Sequence, residues 1–281
     1  MKKKHISTVL FILGLLIGFS VLLYPYIGAY FNSLRESRAV ANYMDDVTAM
    51  DNSETQAILE SAREYNKNLL YKPDRFNPTN NENIEYKSKL NTGRGIMGVL
   101  VIDKIDVRLS IYHGTDQGVL QIGLGHMQGT SLPVGGLSTH SFITGHRGVP
   151  SATLLTDLDR MEKGDTFMIY VMGDILTYKV DNIQTVEPNE MQAIKIDQDN
   201  DYCTLVTCTP YAVNTHRLLV RGYRVENFVD VDNNSIFTEV NKLNIFFVIL
   251  IFLIPILPFI IVFLIIKCRK IHKQQAKKQS I

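Results

Sequence analysis

The fold is decided by residues 202–222, which read YCTLVTC, then TPYAVNTH, then RLLVRG. The first run is rich in β-branched residues and typical of a strand, whereas Pro210 in the middle segment cannot continue a hydrogen-bonded ladder. Arg217 lies nine residues after Cys208 and begins the next strand-like run. A short hairpin would therefore return Arg217 to the side of Cys208.

Working outward, β-rich runs bounded by turn residues recur through residues 96–229. The expected strands are 96–102, 107–113, 141–145, 166–172, 175–186, 203–208 and 217–225, with short helical interruptions near 117–123 and 152–161. Seven runs in about 130 residues are typical of a closed all-β barrel or a sandwich. The sequence contains no internal repeat, no glycine-rich phosphate loop and no CxxC or HExxH pattern. It predicts no cofactor and no metal.

Two amphipathic helices are expected before the β region, across residues 33–70, with a break near Asp51 and Asn52. Their apolar stripes are Val40, Tyr43, Met44 and Val47, then Ile58, Leu59, Ala62, Tyr65 and Leu69. Ser53 and Gln56 have the spacing of a capping box at the second helix. Residues 71–95 lose this periodicity and predict a long loop, either a linker or a cover over a site.

Charge is segregated along the 281 residues, although the formal net charge is only +1. Residues 1–31 hold three basic and no acidic groups, residues 243–281 hold six basic and no acidic groups, and the middle holds 20 basic and 28 acidic groups. The uncharged apolar runs 6–31 and 243–266 are each long enough to cross a hydrocarbon core of about 30 Å. This pattern excludes an ordinary soluble cytosolic domain. The basic ends are membrane flanks, so nucleic acid is not an expected partner.

The first apolar run is either a cleaved signal peptide or a retained signal anchor. Because basic residues flank the cytoplasmic side of a span, a retained anchor places both termini in the cytoplasm and the acidic middle outside. The expected organisation is a signal anchor or signal peptide (1–31), a helical region (32–70), a loop that could form a lid (71–95), a β domain (96–229), a linker (230–242), a transmembrane helix (243–266) and a basic cytoplasmic tail (267–281).

The two cysteines of the β domain are not expected to form a disulfide. Cys203 and Cys208 are five residues apart on one strand, which separates them by roughly 16 Å along the strand. An odd spacing also points their side chains to opposite faces. A disulfide needs Cα atoms within about 7 Å. An unpaired cysteine outside the cytoplasm calls for burial or reactivity. We interpret Cys203 as buried and Cys208, at a strand end, as a candidate nucleophile. Cys268 follows the second apolar run.

Three side chains at predicted strand ends have the chemistry of acyl transfer. Cys208 can supply a thiolate, His146 can move protons to and from an amine, and Arg217 can donate hydrogen bonds to an oxyanion. Each has an ordinary structural interpretation when it is taken alone. Together they predict a cysteine-dependent active site that does not require an Asp or Asn to orient the histidine.

These segments resemble the active-site motifs of sortases. The match rests on TLVTC at 204–208 with its following hairpin, and on FITGHRGVP at 142–150. With GHMQGTSLPVG at 125–135 and the apolar run after the domain, the sequence most resembles class C, the pilus-assembling sortases of Gram-positive bacteria. The resemblance implies an all-β fold with helical additions: a closed eight-stranded β-barrel, N-terminal helices and flanking transmembrane helices.

The resemblance also implies roles for individual residues. Cys208 would be the nucleophile, His146 the general acid and base, Arg217 the charge-stabilising group, and Thr207 a residue of the substrate groove. His126, His140 and His216 are interpreted as structural or neighbouring groups. The implied reaction cleaves an LPXTG-like sorting signal after its threonine and passes the acyl group, through a thioester, to the lysine amine of a pilin subunit.

Two other functions remain open at this point. One is a housekeeping-type sortase that attaches proteins to peptidoglycan through a lipid II amine. The other is a catalytically silent barrel that only binds sorting signals.

Class C sortases commonly carry a lid with an Asp-Pro-aromatic motif, and the corresponding segment here is KPDRFNP at 72–78. The proline precedes Asp74 instead of separating it from Phe76. We expect this loop to lie over the groove, with Asp74 reaching Arg217 and Phe76 covering the Cys208 sulfur. A mobile linker is the alternative.

Overall fold

The structure is a computed structural model that describes residues 2–149, 152–190 and 195–227, together with residue 267. These residues fall in two compact units, with those up to Gly28 in one and those from Ala29 to residue 227 in the other. The linker and transmembrane helix predicted at 230–242 and 243–266, and Cys268 of the predicted tail, lie outside the described residues.

Helix α1 spans Lys2–Ala49 without interruption and so runs through the boundary expected at residue 31. By length and composition its part from Leu13 to Ala49 is the one candidate membrane span in the described part of the chain, with a mean hydropathy of 1.6 over an 18-residue window. A signal sequence near an N-terminus meets the same criteria. The structure is thus consistent with either fate of the first apolar run.

Helix α2, Asn52–Leu70, begins where the sequence predicts a break, but its cap differs from the expected one. The Asp51 side chain accepts a hydrogen bond from the Glu54 backbone amide at 2.8 Å. The Ser53 hydroxyl instead donates to Asp51 Oδ1. Asp51 is the better cap because its carboxylate meets the free amides and the positive end of the helix dipole.

Helix α3, Asn80–Ser88, lies inside the segment predicted to be an aperiodic loop, so that part of the expectation is wrong. Its start is fixed by a capping box in which Thr79 accepts from the Glu82 amide and Glu82 accepts from the Thr79 amide. The helix exposes most of its surface and buries only Tyr86, which explains why no apolar stripe marks it in the sequence.

Eight strands close a barrel in the order β1-β2-β3-β4-β7-β8-β6-β5. Most neighbours are antiparallel, whereas β2 with β3 and β4 with β7 are parallel. The strands are β1 Ile96–Ile102, β2 Val107–His113, β3 Leu124–His126, β4 Thr139–Thr144, β5 Thr166–Val171, β6 Asp174–Val186, β7 Asp201–Thr209 and β8 His216–Val225. This confirms the predicted closed eight-stranded barrel with N-terminal helices.

Short helical elements connect some of the strands. They are a 3-10 turn at Asp103–Ile105, helix α4 at Gln117–Leu120 and a second 3-10 turn at Leu158–Arg160. Both helical interruptions predicted from the sequence therefore occur, although each is shorter than expected.

Helix α1 also packs on the barrel through the apolar stripe read from the sequence. Val40, Tyr43 and Val47 are buried, and the Tyr43 hydroxyl donates to the Met97 carbonyl and accepts from the Met172 amide. Strand β1 is buried along its whole length, as expected of a strand that is covered on both faces.

Candidate active site

Cys208 and Arg217 face each other across the antiparallel pair β7 and β8, as the hairpin argument predicts. Along β7 the alternation of side chains puts Cys203, Leu205 and Thr207 inside the barrel, each no more than 1% exposed. Cys208 points to the other face, is half-buried and forms no disulfide. The strand therefore separates one enclosed thiol from one that solvent and ligands can reach.

His146 leaves the end of β4 at the level of Cys208. Strand β4 runs parallel to β7 with Thr144 opposite Val206, and the Gly145 amide continues the ladder by donating to the Val206 carbonyl at 3.0 Å. Two more residues along each strand bring the chain to His146 and to Cys208. The structure thus gathers the three predicted catalytic side chains at the ends of three adjacent strands.

Arg217 uses only part of its guanidinium for local contacts. Its Nη1 donates to the backbone carbonyls of Asn214 and His216, at 3.2 and 3.1 Å. Among the described residues its other guanidinium nitrogens have no hydrogen-bond partner. Because the side chain is half-buried and its anchor is backbone, the free edge is available to a carbonyl or an oxyanion beside Cys208.

Thr207 is buried in this structure, and its expected place in the substrate groove stays a prediction. It is 1% exposed, lies on the opposite side of β7 from Cys208, and donates its hydroxyl to the Gly145 carbonyl at 2.8 Å. The reason is the two-residue period of a strand, which excludes neighbouring side chains from one face. Thr207 ties β7 to the residue before His146.

A small apolar cluster and a cavity lie on the outer face of the barrel, beside the part of β7 that precedes Cys208. Phe142, Val206 and Leu219 pack together outside the main core, with Met127 and Val186 against them. A cavity of about 270 Å³ adjoins this cluster, and its walls include His140, Phe142, Thr204, Leu219 and Arg221. Thr204 is four residues before Cys208 on the same face, so the cavity opens roughly 13 Å along β7 from the thiol.

The lid segment contacts the chain between β3 and β4. Gly129, at a φ of +91°, has no room for a side chain because a Cβ there would come within 2.6 Å of the Arg75 carbonyl oxygen and 2.7 Å of Phe76 Cδ1. Asp74 is exposed, and no ion pair joins it to Arg217 in the described residues, so that predicted contact is wrong. Phe76 keeps 39% of its surface exposed, and its contact with Cys208 stays a prediction.

The exposed charge and the partly buried charge of this segment are neighbours. Asp74, which follows Pro73, is exposed, and Arg75 is partly buried. Burial lowers the pKa of Arg75, and its guanidinium carbon lies 5.0 Å from the centre of the Phe76 ring. Its positive charge is one of the smaller factors that lower the pKa of His140.

Two other histidines are structural, as the sequence predicts. Burial is the main cause that lowers the pKa of both His126 and His140 to about 4. His140 Nδ1 contacts the Lys195 carbonyl at 3.0 Å and its Nε2 contacts the Thr204 hydroxyl at 2.7 Å. A carbonyl can only accept, so Nδ1 carries the proton and Nε2 accepts from Thr204. Because both ring nitrogens of His140 are occupied by hydrogen bonds, this histidine has no free nitrogen with which to act as the general base.

His216 lies at the start of β8, and its Nδ1 is 2.9 Å from the neighbouring Thr215 hydroxyl. Sequence reasoning missed Arg147, which follows His146 and contacts Thr209. The sequence shows only a charged residue directly after the proposed base, and its importance is visible only from its contacts in the structure.

The comparisons with known proteins agree with this geometry. The Sortase domain family model matches residues 100–225. The crystal structure of sortase C1 from Streptococcus agalactiae is 46% identical, covers 68% of this chain and 99% of its own, and has a TM-score of 0.66. Sortase C from Streptococcus pneumoniae is 41% identical, with coverages of 68% and 97% and a TM-score of 0.61.

A more distant relative, sortase D from Bacillus subtilis, is 26% identical over 181 residues, which are 62% of this chain and 86% of that protein. The barrel, the gathered strand ends and these similarities lead to one conclusion. The chain belongs to the class C sortase family and is a sortase-type cysteine transpeptidase.

Proposed function

We propose that this enzyme cleaves an LPXTG-like sorting signal and transfers the acyl group to a pilin lysine, so that pilin subunits are joined by isopeptide bonds. The observation that carries the proposal is the register of β7 and β8, which sets Cys208 opposite Arg217, with His146 at the end of the strand next to β7. The pneumococcal sortase C, which this chain resembles, is described as having pilin substrate specificity.

The position of the cavity on the outer face suits a peptide segment of four residues that ends at Cys208. Four extended residues cover roughly 13 Å, which is also the distance along β7 from Thr204 to Cys208. A Leu-Pro-X-Thr segment bound from the cavity towards the strand end would bring its threonine carbonyl to the thiol. The apolar lining formed by Phe142 and Leu219 suits the leucine and proline side chains.

In the first half-reaction the Cys208 thiolate attacks the threonine carbonyl carbon, and the oxyanion that develops accepts hydrogen bonds from Arg217. His146 donates a proton to the glycine nitrogen as the Thr-Gly bond breaks, which leaves a thioester on Cys208. In the second half-reaction a pilin lysine amine attacks the thioester and loses a proton to His146. The isopeptide bond forms as the Cys208 thiolate leaves.

We further propose that residues 71–95 include a lid over this site and that the barrel works outside the membrane. The lid is supported by the packing of Arg75 and Phe76 against Gly129, in the chain between β3 and β4. The location is supported by the apolar part of α1 behind a basic N-terminus and by the acidic charge of the middle of the chain.

The function is tested with the full-length chain in detergent, a fluorogenic LPXTG peptide and a pilin-derived peptide that contains a lysine. Cys208→Ala should lower both cleavage and transfer by at least about 10³-fold, because the nucleophile is lost. Arg217→Lys should cost about 10²-fold, since an ammonium cannot reproduce the planar set of donors.

Cys203→Ala is the matched control, because Cys203 is a buried thiol on the same strand, and it should keep most of the activity. Unchanged cleavage in Cys208→Ala would end the proposal. Transfer to a peptidoglycan-type amine in preference to the lysine would support the housekeeping-type alternative.

A further inference from the structure

Arg147 is a buried cation directly after the proposed base. Only 8% of its side-chain surface is exposed, although the loop that carries it is otherwise half-buried. Its Nη2 donates to the carboxylate of Asp159, which is itself 48% exposed. A surface ion pair would leave both partners in water, so this arginine is drawn inward by other contacts.

Those contacts reach the residues after the nucleophile. Arg147 Nη1 donates to the Thr209 hydroxyl at 3.3 Å, and Thr209 is the next residue after Cys208. The guanidinium carbon lies 6.0 Å from the centre of the Tyr211 ring. A Cβ placed on Gly148 would come within 3.0 Å of the same ring. The loop that carries His146, which we call the histidine loop, therefore lies against the segment that follows Cys208. The hydrogen bond from Arg147 to Thr209 links the two segments.

The opposite end of the guanidinium holds the loop to a third segment. Asp159 belongs to the 3-10 turn Leu158–Arg160, and the Leu155 amide in the preceding chain donates to the His146 carbonyl at 3.2 Å. Arg147 Nε is buried and has no hydrogen-bond partner in the described part of the chain. An apolar residue would pack here without stranding a donor, so packing alone does not explain an arginine.

We infer that Arg147 is a positioning residue that acts through His146 and Cys208. Its hydrogen bond to Thr209 joins the chain after β4 to the end of β7, and its contact with Asp159 holds the other end of the guanidinium, so that the imidazole keeps its position relative to the thiol. The inference rests on the proposed catalytic roles of those two residues. Arg147 has no contact with the cavity around Thr204 that we assign to the peptide, so it should influence kcat much more than KM.

The test compares steady-state kinetics of four variants of the full-length chain in detergent, with the LPXTG peptide and the lysine peptide. Arg147→Met keeps the length of the side chain but removes the donors, and it should lower kcat by about 10- to 100-fold, the range expected for a misplaced catalytic pair. KM should stay within about threefold of the wild type. Arg147→Lys should recover part of kcat, and added guanidinium ion at low millimolar concentration should partly rescue Arg147→Met.

Two further variants separate positioning from folding. Arg108→Met removes an arginine of β2 whose side chain is 19% exposed and which pairs with Asp103 and Asp106, and it should leave kcat unchanged. Thr209→Val removes only the acceptor next to Cys208, so it keeps the inference testable if Arg147→Met does not fold. It should lower kcat by about three- to tenfold without raising KM.

The inference is overturned if the folded Arg147→Met and Thr209→Val variants both keep the wild-type kcat, or if their losses simply follow a lower melting temperature. In either case Cys208→Ala would remain inactive, and the proposed function would stand. If Cys208→Ala were active, the proposed function itself would fail, whatever the Arg147 variants showed.

Discussion

Cys203 and Cys208 are five residues apart on β7, and their thiols lie in opposite surroundings. Burial raises the pKa of the Cys203 thiol well above its ordinary value, and the nearby Asp201 carboxylate adds to the effect. A thiol that cannot ionise is a poor nucleophile. Cys208 sits at the strand end, opposite a guanidinium and beside the histidine loop. The difference in position follows from strand alternation, which is why the sequence alone could place the two cysteines on opposite faces of β7.

His140 allows a stability prediction at the residue scale. Its pKa is about 4 in the folded protein and near 6.5 when it is unfolded, so between these values the unfolded chain binds more protons. The free energy of unfolding should therefore fall as the pH drops from 6.5 to 4, by up to about 3 kcal/mol from this residue. His140→Gln, which cannot titrate, should lack this part of the pH dependence.

The measurement is chemical denaturation of both proteins in detergent between pH 4 and pH 8. Above pH 7 the two curves should differ by a constant amount, because His140 is neutral in both states. Identical slopes for wild type and His140→Gln below pH 6.5 would show that His140 takes up its proton without unfolding.

At the scale of elements, the sequence predicts those with strong periodicity and misses those without it. The runs expected at 96–102 and 107–113 coincide with β1 and β2, and the other five end within two residues of the observed strands. Strand β3 was missed because Leu124–His126 is only three residues long and contains a glycine. Helix α3 was missed because it has no apolar stripe, although Thr79 and Glu82 have the capping-box spacing.

The residues of the candidate site also differ in how well the sequence could predict their positions. Residues fixed by register, Cys208 and Arg217, could be placed from the hairpin alone. The side chain directions of a loop could not, because they depend on the proline that sets the turn and on the surface that the loop meets. The segment around Asp74 therefore departs from the expected pairing with Arg217, and Arg147 could be recognised only from its contacts.

The segment that we propose as a lid is closed at its base by hydrogen bonds, which leads to a prediction about access to the thiol. Glu82 accepts hydrogen bonds from Lys72 and from both the amide and the hydroxyl of Thr79, and these contacts, chiefly that with Lys72, lower its pKa to about 2. They close the segment between residues 72 and 79. If Phe76 covers Cys208, Phe76→Ala should speed alkylation of Cys208 by a small reagent about fivefold, as expected for losing roughly 1 kcal/mol of apolar burial.

Asp74→Ala should change that rate little, because Asp74 is exposed and does not pair with Arg217. Ile84→Ala is the matched control, since Ile84 is an apolar residue of α3 that keeps 69% of its surface exposed. Equal alkylation of Cys208 in wild type and Phe76→Ala, measured by mass spectrometry, would reject the lid and leave the catalytic assignment in place.

For the whole molecule, the distribution of charge and apolar length matters more than the nearly neutral total. Helix α1 carries both the uncharged run that begins at residue 6, after three lysines, and the buried stripe of Val40, Tyr43 and Val47 on the barrel side. Helix α1 therefore contributes both to the apolar N-terminal run and to the packing on the barrel. The acidic excess lies in the middle region and the basic excess at the ends, which is the arrangement expected when the catalytic part faces outward.

This topology predicts which native cysteines a membrane-impermeant thiol reagent reaches in intact protoplasts. Cys208 should be labelled, since it is half-buried on the barrel that we place outside, whereas Cys203 should stay unlabelled because it is buried. Cys268, which follows the second apolar run of the sequence, should react only after the membrane is permeabilised. Peptide mass spectrometry distinguishes the three sites, and Cys208→Ala identifies the background. Labelling of Cys268 before permeabilisation, or of Cys208 only after it, would contradict the proposed orientation.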